Sequence, residues 1–265
     1  MNKARVRTGG LAAQVYWEGN GGFERTVLFA PGIPYVTDRE AITPLLVNLG
    51  FGVVQVQYPG TYDSEGPFEP EGCAGVLLEW ERILSREGRL FDLRGEAWIK
   101  VGGDVEVVAA HSFGTYAAAG AIIRGLRPRV ALMLSPMFEF GSKAPEVGLQ
   151  VDLDKHVRHI SRALPLTFRM HSVDEWEHFF AQESVFHPDE AKDVGEARTR
   201  LYCVVGDQDP SLNAPTSCKY VESFARKYSN CFEQAKGVVV EGGTHDVESL
   251  LSPAVVEEIT ALLKR

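Results

Sequence analysis

The sequence predicts one α/β domain built on a mostly parallel central sheet with helices on both faces. Two observations carry this. Short runs rich in Val, Ile, Leu and Phe recur along the chain, each closed by a Gly- or Pro-bearing turn and usually followed by an amphipathic stretch. The chain, at 265 residues, is also long enough for one such domain to build its own core. A third observation shapes the prediction: the alternation is interrupted once, between positions 136 and 199.

Taken in order, Leu11 to Glu18 can form an additional, antiparallel strand at the start. Buried strands are expected over Thr26–Ala30, Gly52–Gln57, Val105–Ala110, Arg129–Leu134, Arg200–Val205 and Gly237–Glu241. Each is a nearly continuous apolar run of the length that a strand covered on both faces requires. Helices are expected over Arg39–Leu49, Cys73–Glu87, Phe113–Arg124, Ser217–Tyr228 and Pro253–Lys264. The last places Val255, Val256, Ile259, Leu262 and Leu263 on one face, which suits docking on a sheet. Phe91 to Gly103 has no clear period.

The interrupted stretch carries helix-like runs with Phe138, Phe140, Trp176, Phe179, Phe180 and Phe186. It lies between two core strands, so it must leave the sheet and return. The expected organisation is therefore a core of residues 1–135 and 200–265 with a helical cap insertion at 136–199 covering one end of the sheet.

Charge and composition exclude several classes of function. Lys and Arg total 27 against 36 Asp and Glu, a formal net charge of -9. That sign disfavours nucleic acid or an anionic membrane surface as the main partner. The longest apolar runs, such as Val105–Ala110, are too short to span a bilayer. The basic N-terminus has no apolar stretch behind it and makes a poor signal peptide, so a cytoplasmic location is expected. The four cysteines, Cys73, Cys203, Cys218 and Cys231, form no C-x-x-C pair. Cys218 and Cys231 flank a helix and could be bridged, although a cytosolic setting favours free thiols.

The chemistry is concentrated in Val107–Ala119. An apolar strand runs into Ala110-His111-Ser112-Phe113-Gly114, and small residues then open a helix. A serine on such a strand-to-helix turn is lifted above the sheet edge, and the tight turn needs small residues two before and two after it. The helix N-terminus there favours developing negative charge. Taken alone, Ser112 reads equally well as a helix N-cap. Two later strand ends break the tie: Gly206-Asp-Gln-Asp-Pro210 supplies an acid and Gly242-Gly-Thr-His245 a histidine. In a parallel sheet such ends share one rim, where sites collect.

On these residues the chain resembles the α/β-hydrolase superfamily over nearly its whole length. Ala30-Pro-Gly-Ile-Pro34 is similar to the loop that donates an oxyanion-hole N–H. The Asp and His strand ends follow Ser112 in the family's chain order. Tyr58-Pro-Gly-Thr-Tyr-Asp-Ser-Glu-Gly66 is similar to a stretch found in many esterase-like and peptidase-like members. The resemblance implies Ser112 as nucleophile, His245 as general base, Asp209 as the orienting acid, and the main-chain N–H groups of Ile33 and Phe113 as oxyanion donors. It departs from the family in having Pro31-Gly32 for the usual His-Gly, and Ala110 for glycine; neither removes a required group.

Asp207 competes with Asp209 for the acid role, and Glu139 is a remote third candidate. The family's Gly-x-x-Asp spacing favours Asp209. His111 is expected to point away from the reaction and to support it at most. His156 and His159 could suggest a metal, but with no third ligand they read as a solvated helix face. No metal or organic cofactor is implied, and the implied partner is a small-molecule acyl substrate. A carboxylic-ester hydrolase is the favoured reading. A peptidase or amidase on the same residues would need an acidic anchor such as Asp174, Glu175 or Glu177; a non-catalytic binding module would not require Ser112, Asp209 and His245 together, so their joint presence argues against it.

Overall fold

A computed structural model of the chain describes residues 1–33, 41–140, 143–163, 167–182, 185–186, 188–192 and 198–264, without the side chains of residues 153, 156, 159, 160 and 163. Its strands are β1 (Asn2–Thr8), β2 (Leu11–Trp17), β3 (Gly22–Phe23), β4 (Arg25–Ala30), β5 (Phe51–Val56), β6 (Arg89–Asp92), β7 (Ala97–Val101), β8 (Val105–His111), β9 (Val130–Leu134), β10 (Thr199–Gly206) and β11 (Phe232–Val240). All belong to one sheet in the order β11-β10-β9-β8-β4-β5-β2-β1-β6-β7-β3. Neighbours from β11 to β5 pair in parallel, while β2, β1, β6 and β7 extend the sheet in antiparallel fashion.

The six apolar runs are the six parallel strands, and the opening strand pairs antiparallel with β5 as expected. The reason is visible in burial: every residue of β5 and β9 is buried. Val27 and Phe29 enter one core while Leu28 and Ala30 enter the other. Helices α2 (Pro70–Glu87), α3 (Phe113–Ile123) and α6 (Ala214–Lys227) cover one face; α1 (Ile42–Asn48), α7 (Val247–Leu250) and α8 (Pro253–Lys264) cover the other. Residues 39 and 40 of the first expected helix lie outside the described residues.

Three parts of the sheet are absent from the sequence reading: the two-residue β3, β1, which alternates exposed and buried residues, and the β6–β7 hairpin in the 91–103 region, whose Phe91 and Trp98 face solvent. Such half-exposed strands lack the continuous apolar run that marks the parallel ones. The four cysteines are free. Cys218 packs beside Gly237, whereas the Cys231 thiol faces the Lys192 carbonyl, so the two sulfurs serve different contacts.

Between β9 and β10 the described residues contain no strand; they form α4 (Leu153–Ala163), α5 (Val173–Ala181) and a 3-10 turn at Pro188–Glu190. This excursion is fixed by aromatic packing. Trp176 Nε1–H donates to the Phe68 carbonyl at 3.0 Å, and its ring lies 4.7 Å from that of Phe68 and 5.6 Å from that of Phe113. Phe179 packs edge-on against Tyr116 at 5.0 Å, while Phe140 meets Phe180 at 5.2 Å. The aromatic side of the excursion therefore rests on the start of α3.

The close seating of α3 on the sheet depends on Gly114, where a Cβ would run into the Ala30 carbonyl of β4. Gly114→Ala should lower stability by about 2 kcal/mol or more, within the range for strain in a packed core. Urea unfolding measures it, and an unchanged midpoint would mean that α3 can retreat from β4 at no cost.

Candidate active site

β8 delivers Ser112 at the rim. The residue turns at φ 53° and ψ -126°, a backbone conformation outside the regions that L-residues ordinarily occupy. Neighbouring strands hold it there. Ser112 N–H donates to the Leu134 carbonyl at the end of β9 (2.9 Å), Thr115 Oγ1–H returns to the Ser112 carbonyl (2.7 Å), and Ser135 N–H donates to Val204 of β10 (2.8 Å). The strained turn is overdetermined by its surroundings.

The loops after β10 and β11 interlock. A Cβ on Gly206 would collide with the Gly243 carbonyl, and one on Gly243 would crowd Gly206 Cα at 3.0 Å, so the two loops touch main chain to main chain. Gln208 N–H donates to the Gly243 carbonyl at 2.9 Å, and Asp207 N–H to the Val240 carbonyl at 3.1 Å. The Asp207 carboxylate accepts from Gly242 N–H at 2.8 Å and is thereby occupied within the loop. Asp209, two residues on, turns inward and meets His245.

The three side chains lie in one hydrogen-bonded line. His245 Nδ1 is 2.8 Å from Asp209 Oδ2 and 3.0 Å from Oδ1; His245 Nε2 is 2.8 Å from Ser112 Oγ. The Asp209 side chain is fully enclosed and that of His245 is 26% exposed, so the imidazole reaches the surface while the carboxylate does not. Burial acts to raise the Asp209 pKa, but the hydrogen bond and charge of His245, with the Ser211 N–H at 2.8 Å and the Ser135 hydroxyl at 2.9 Å, together hold the carboxyl below its usual range. An ionised carboxylate can only accept, so Nδ1 carries the imidazole proton and Nε2 presents its lone pair to Ser112.

The remaining sequence-named residues separate clearly. Phe113 is the first residue of α3, so its N–H has no carbonyl four residues back within the helix. Ile33 lines the cavity beside Ser112, and Tyr58 O–H fixes its loop by donating to the Pro31 carbonyl at 2.7 Å. Glu139 is fully buried but accepts from Val185 N–H at 2.9 Å, within the excursion and not at the imidazole. Asp174, Glu175 and Glu177 are exposed on α5, whose inward residues are Trp176, Phe179 and Phe180. The side chains of His156 and His159 lie outside the described residues. Among the described residues no cluster of His, Cys, Asp or Glu could hold a metal ion, and no helix is long and apolar enough to cross a membrane.

Three contributors escape the motif reading: Ser135 and Ser211 bind Asp209, and Met137 Sδ lies 3.2 Å from Ser112 Oγ. His111, expected in a supporting place at most, donates from Nε2–H to the His245 carbonyl at 2.8 Å. Only Ser135 carried a local signal: it directly follows the fourth of the six apolar runs, much as Ser112 follows the third after His111. Above Ser112 lies a cavity of about 160 Å³ lined by Ile33, Phe113, Met137, Phe140, Val151, Phe180, Ser211 and His245.

A sequence model described as the Alpha/beta hydrolase family matches residues 27–259. The chain belongs to the alpha/beta hydrolase family. No curated protein matches it in sequence. Among solved structures it is similar to Est1E from Butyrivibrio proteoclasticus (15% identity, all of both chains covered, TM-score 0.59). It is also similar to the Pyrococcus furiosus esterase Pf2001 (11%, 100% of this chain and 92% of that one, TM-score 0.57). A third is the carboxylesterase CesB from Bacillus subtilis (11%, 99% and 91%, TM-score 0.60). At such identities the likeness is one of fold. This family member therefore has the α/β-hydrolase architecture that the sequence predicts.

The titrations of His111 and Asp209 give a pH dependence. Burial first, and the neighbouring His245 second, push the His111 pKa down to about 4. A histidine whose folded pKa is depressed stabilises the fold fully above its unfolded value. That contribution is lost as pH falls from about 6.5 towards 4, by up to about 3 kcal/mol. Asp209, also depressed, adds its loss only below about pH 4. Urea unfolding across this range should show the first decline, and His111→Gln should flatten it; an equal slope in both proteins would refute the assignment.

Proposed function

We propose that this family member is a serine hydrolase that cleaves a carboxylic ester or related acyl bond, with residues 136–199 acting as a cap over the site. One observation carries the reading: His245 Nε2 stands 2.8 Å from Ser112 Oγ while its Nδ1 is held by a buried carboxylate. As the Ser112 hydroxyl attacks an acyl carbonyl, His245 takes its proton, and Asp209 stabilises the imidazolium that forms. The tetrahedral oxyanion is received by the N–H groups of Ile33 and Phe113, each such donor being worth about 3 kcal/mol. His245 returns the proton to the leaving group, and water, deprotonated by the same imidazole, releases the acid.

The cavity supports an ester in preference to an aminoacyl substrate. Among the described residues its lining holds no carboxylate to bind a substrate ammonium, and the acidic residues of α5 are exposed to solvent. Instead it is walled by Phe113, Met137, Phe140, Val151 and Phe180, which suit an uncharged acyl group. At about 160 Å³ the cavity is small, which favours a short acyl group.

Wild-type protein should take a fluorophosphonate label; Ser112→Ala should take none, and His245→Ala should label at least about 10³-fold more slowly. A wild type that remains unlabelled removes the enzyme reading and leaves the binding module. On p-nitrophenyl esters, kcat/KM should peak between acetyl and hexanoyl and fall at least about tenfold by dodecanoyl, the range expected when a few methylenes are denied burial. Faster turnover of aminoacyl amides than of these esters would favour the peptidase instead.

A further inference from the structure

We propose that His111 is a positioning residue for His245: its imidazole holds the main chain of the general base against the strand that carries the nucleophile. The inference rests on the hydrolase reading above and adds a residue to which neither the motif nor the reaction assigns a task.

Three loops of the site meet at this ring. His111 is the last residue of β8 and so belongs to the nucleophile turn itself. Its Nε2 lies 2.8 Å from the His245 carbonyl, and a carbonyl can only accept, so Nε2 bears the proton. On the other side a Cβ at Gly32 would come within 3.2 Å of His111 Nδ1 and 3.0 Å of Ser112 Cβ. Both are tighter than ordinary contact, so the glycine leaves the space in which the ring and the nucleophile sit against the Ile33 loop. His245 is thus tied from two directions. Thr244 N–H bonds Ser249 Oγ at 2.8 Å and anchors the loop towards α7, while His111 anchors it towards β8.

The charge state of the ring matters as much as its place. Its centroid is 5.2 Å from that of His245, and the acidic groups bearing on it are Asp209 and Asp246. A cation at residue 111 would oppose the imidazolium that His245 must form. Burial and the proximity of His245 keep His111 neutral at ordinary pH, which leaves it as a hydrogen-bond donor without an opposing charge. A misplacement of the base by about 1 Å can cost about a hundredfold in rate, so a single main-chain anchor is a sufficient lever.

The test compares His111→Gln, His111→Asn and His111→Phe in the full chain, with p-nitrophenyl butyrate as substrate. Gln places an amide N–H at the reach of imidazole Nε2; Asn is too short, and Phe fills the space without a donor. Asn and Phe should lower kcat by about 10- to 100-fold with KM within about twofold, and Gln should recover to within about threefold of wild type. The downfield Nδ1–H proton resonance of His245 should persist in Gln and broaden or vanish in Asn and Phe. If Phe does not fold, the Gln and Asn pair carries the comparison. Wild-type kcat in Asn, or a Gln variant as impaired as Asn, overturns the proposal. Should the wild type take no fluorophosphonate label, the hydrolase reading fails separately, and the His245 resonance alone decides whether His111 positions the ring.

Discussion

The parallel run β11-β10-β9-β8-β4-β5 is the constraint on which the rest of the structure depends. Because these strands point the same way, every loop that follows one emerges at a single rim. Residues 33, 112, 135, 209 and 245, distant in the chain, become neighbours for that reason alone. The rim is also stitched sideways: Ser112 to Leu134, Ser135 to Val204 and Asp207 to Val240 each bond one strand end to the next. The loops are consequently held as a set, and the strain at Ser112 is carried by the sheet as a whole.

Close approach supplies the second level of organisation. Gly114 lets α3 sit against β4, and Gly206 with Gly243 lets two loops interlock. These contacts involve main chain on one side or both, so a side chain there would push apart the elements that bear Ser112, Asp209 and His245. Two serines complete the arrangement. Ser135 and the Ser211 N–H occupy Asp209 oxygens that would otherwise be enclosed without enough donors, which is the usual requirement for burying a carboxylate.

The excursion between β9 and β10 contributes through packing rather than through polar chemistry. Its inward residues build one aromatic cluster with Phe68, Phe113 and Tyr116, and four of its side chains, Met137, Phe140, Val151 and Phe180, line the cavity above Ser112. The same segment is tied down by a buried polar bond, from Val185 N–H to Glu139. The shape of the cavity is thus set by residues that also hold the segment in place, so its size cannot change without disturbing that packing.

The sequence by itself determined the strands that are buried on both faces, because such strands need unbroken apolar runs and a run is a local property. It likewise determined the Ser112 turn, whose small neighbours are a local steric demand. It did not reveal β1 or the β6–β7 hairpin, whose exposed faces carry ordinary polar residues. Only the tertiary structure decided which of Asp207 and Asp209 meets the imidazole, because both sit in one loop and the choice depends on how that loop docks on Gly242 and Gly243. The same holds for the free thiols of Cys218 and Cys231, and for His111 against the His245 carbonyl. Each is a contact between segments far apart in the chain, and periodicity along the sequence records which face a residue occupies, not what stands opposite it.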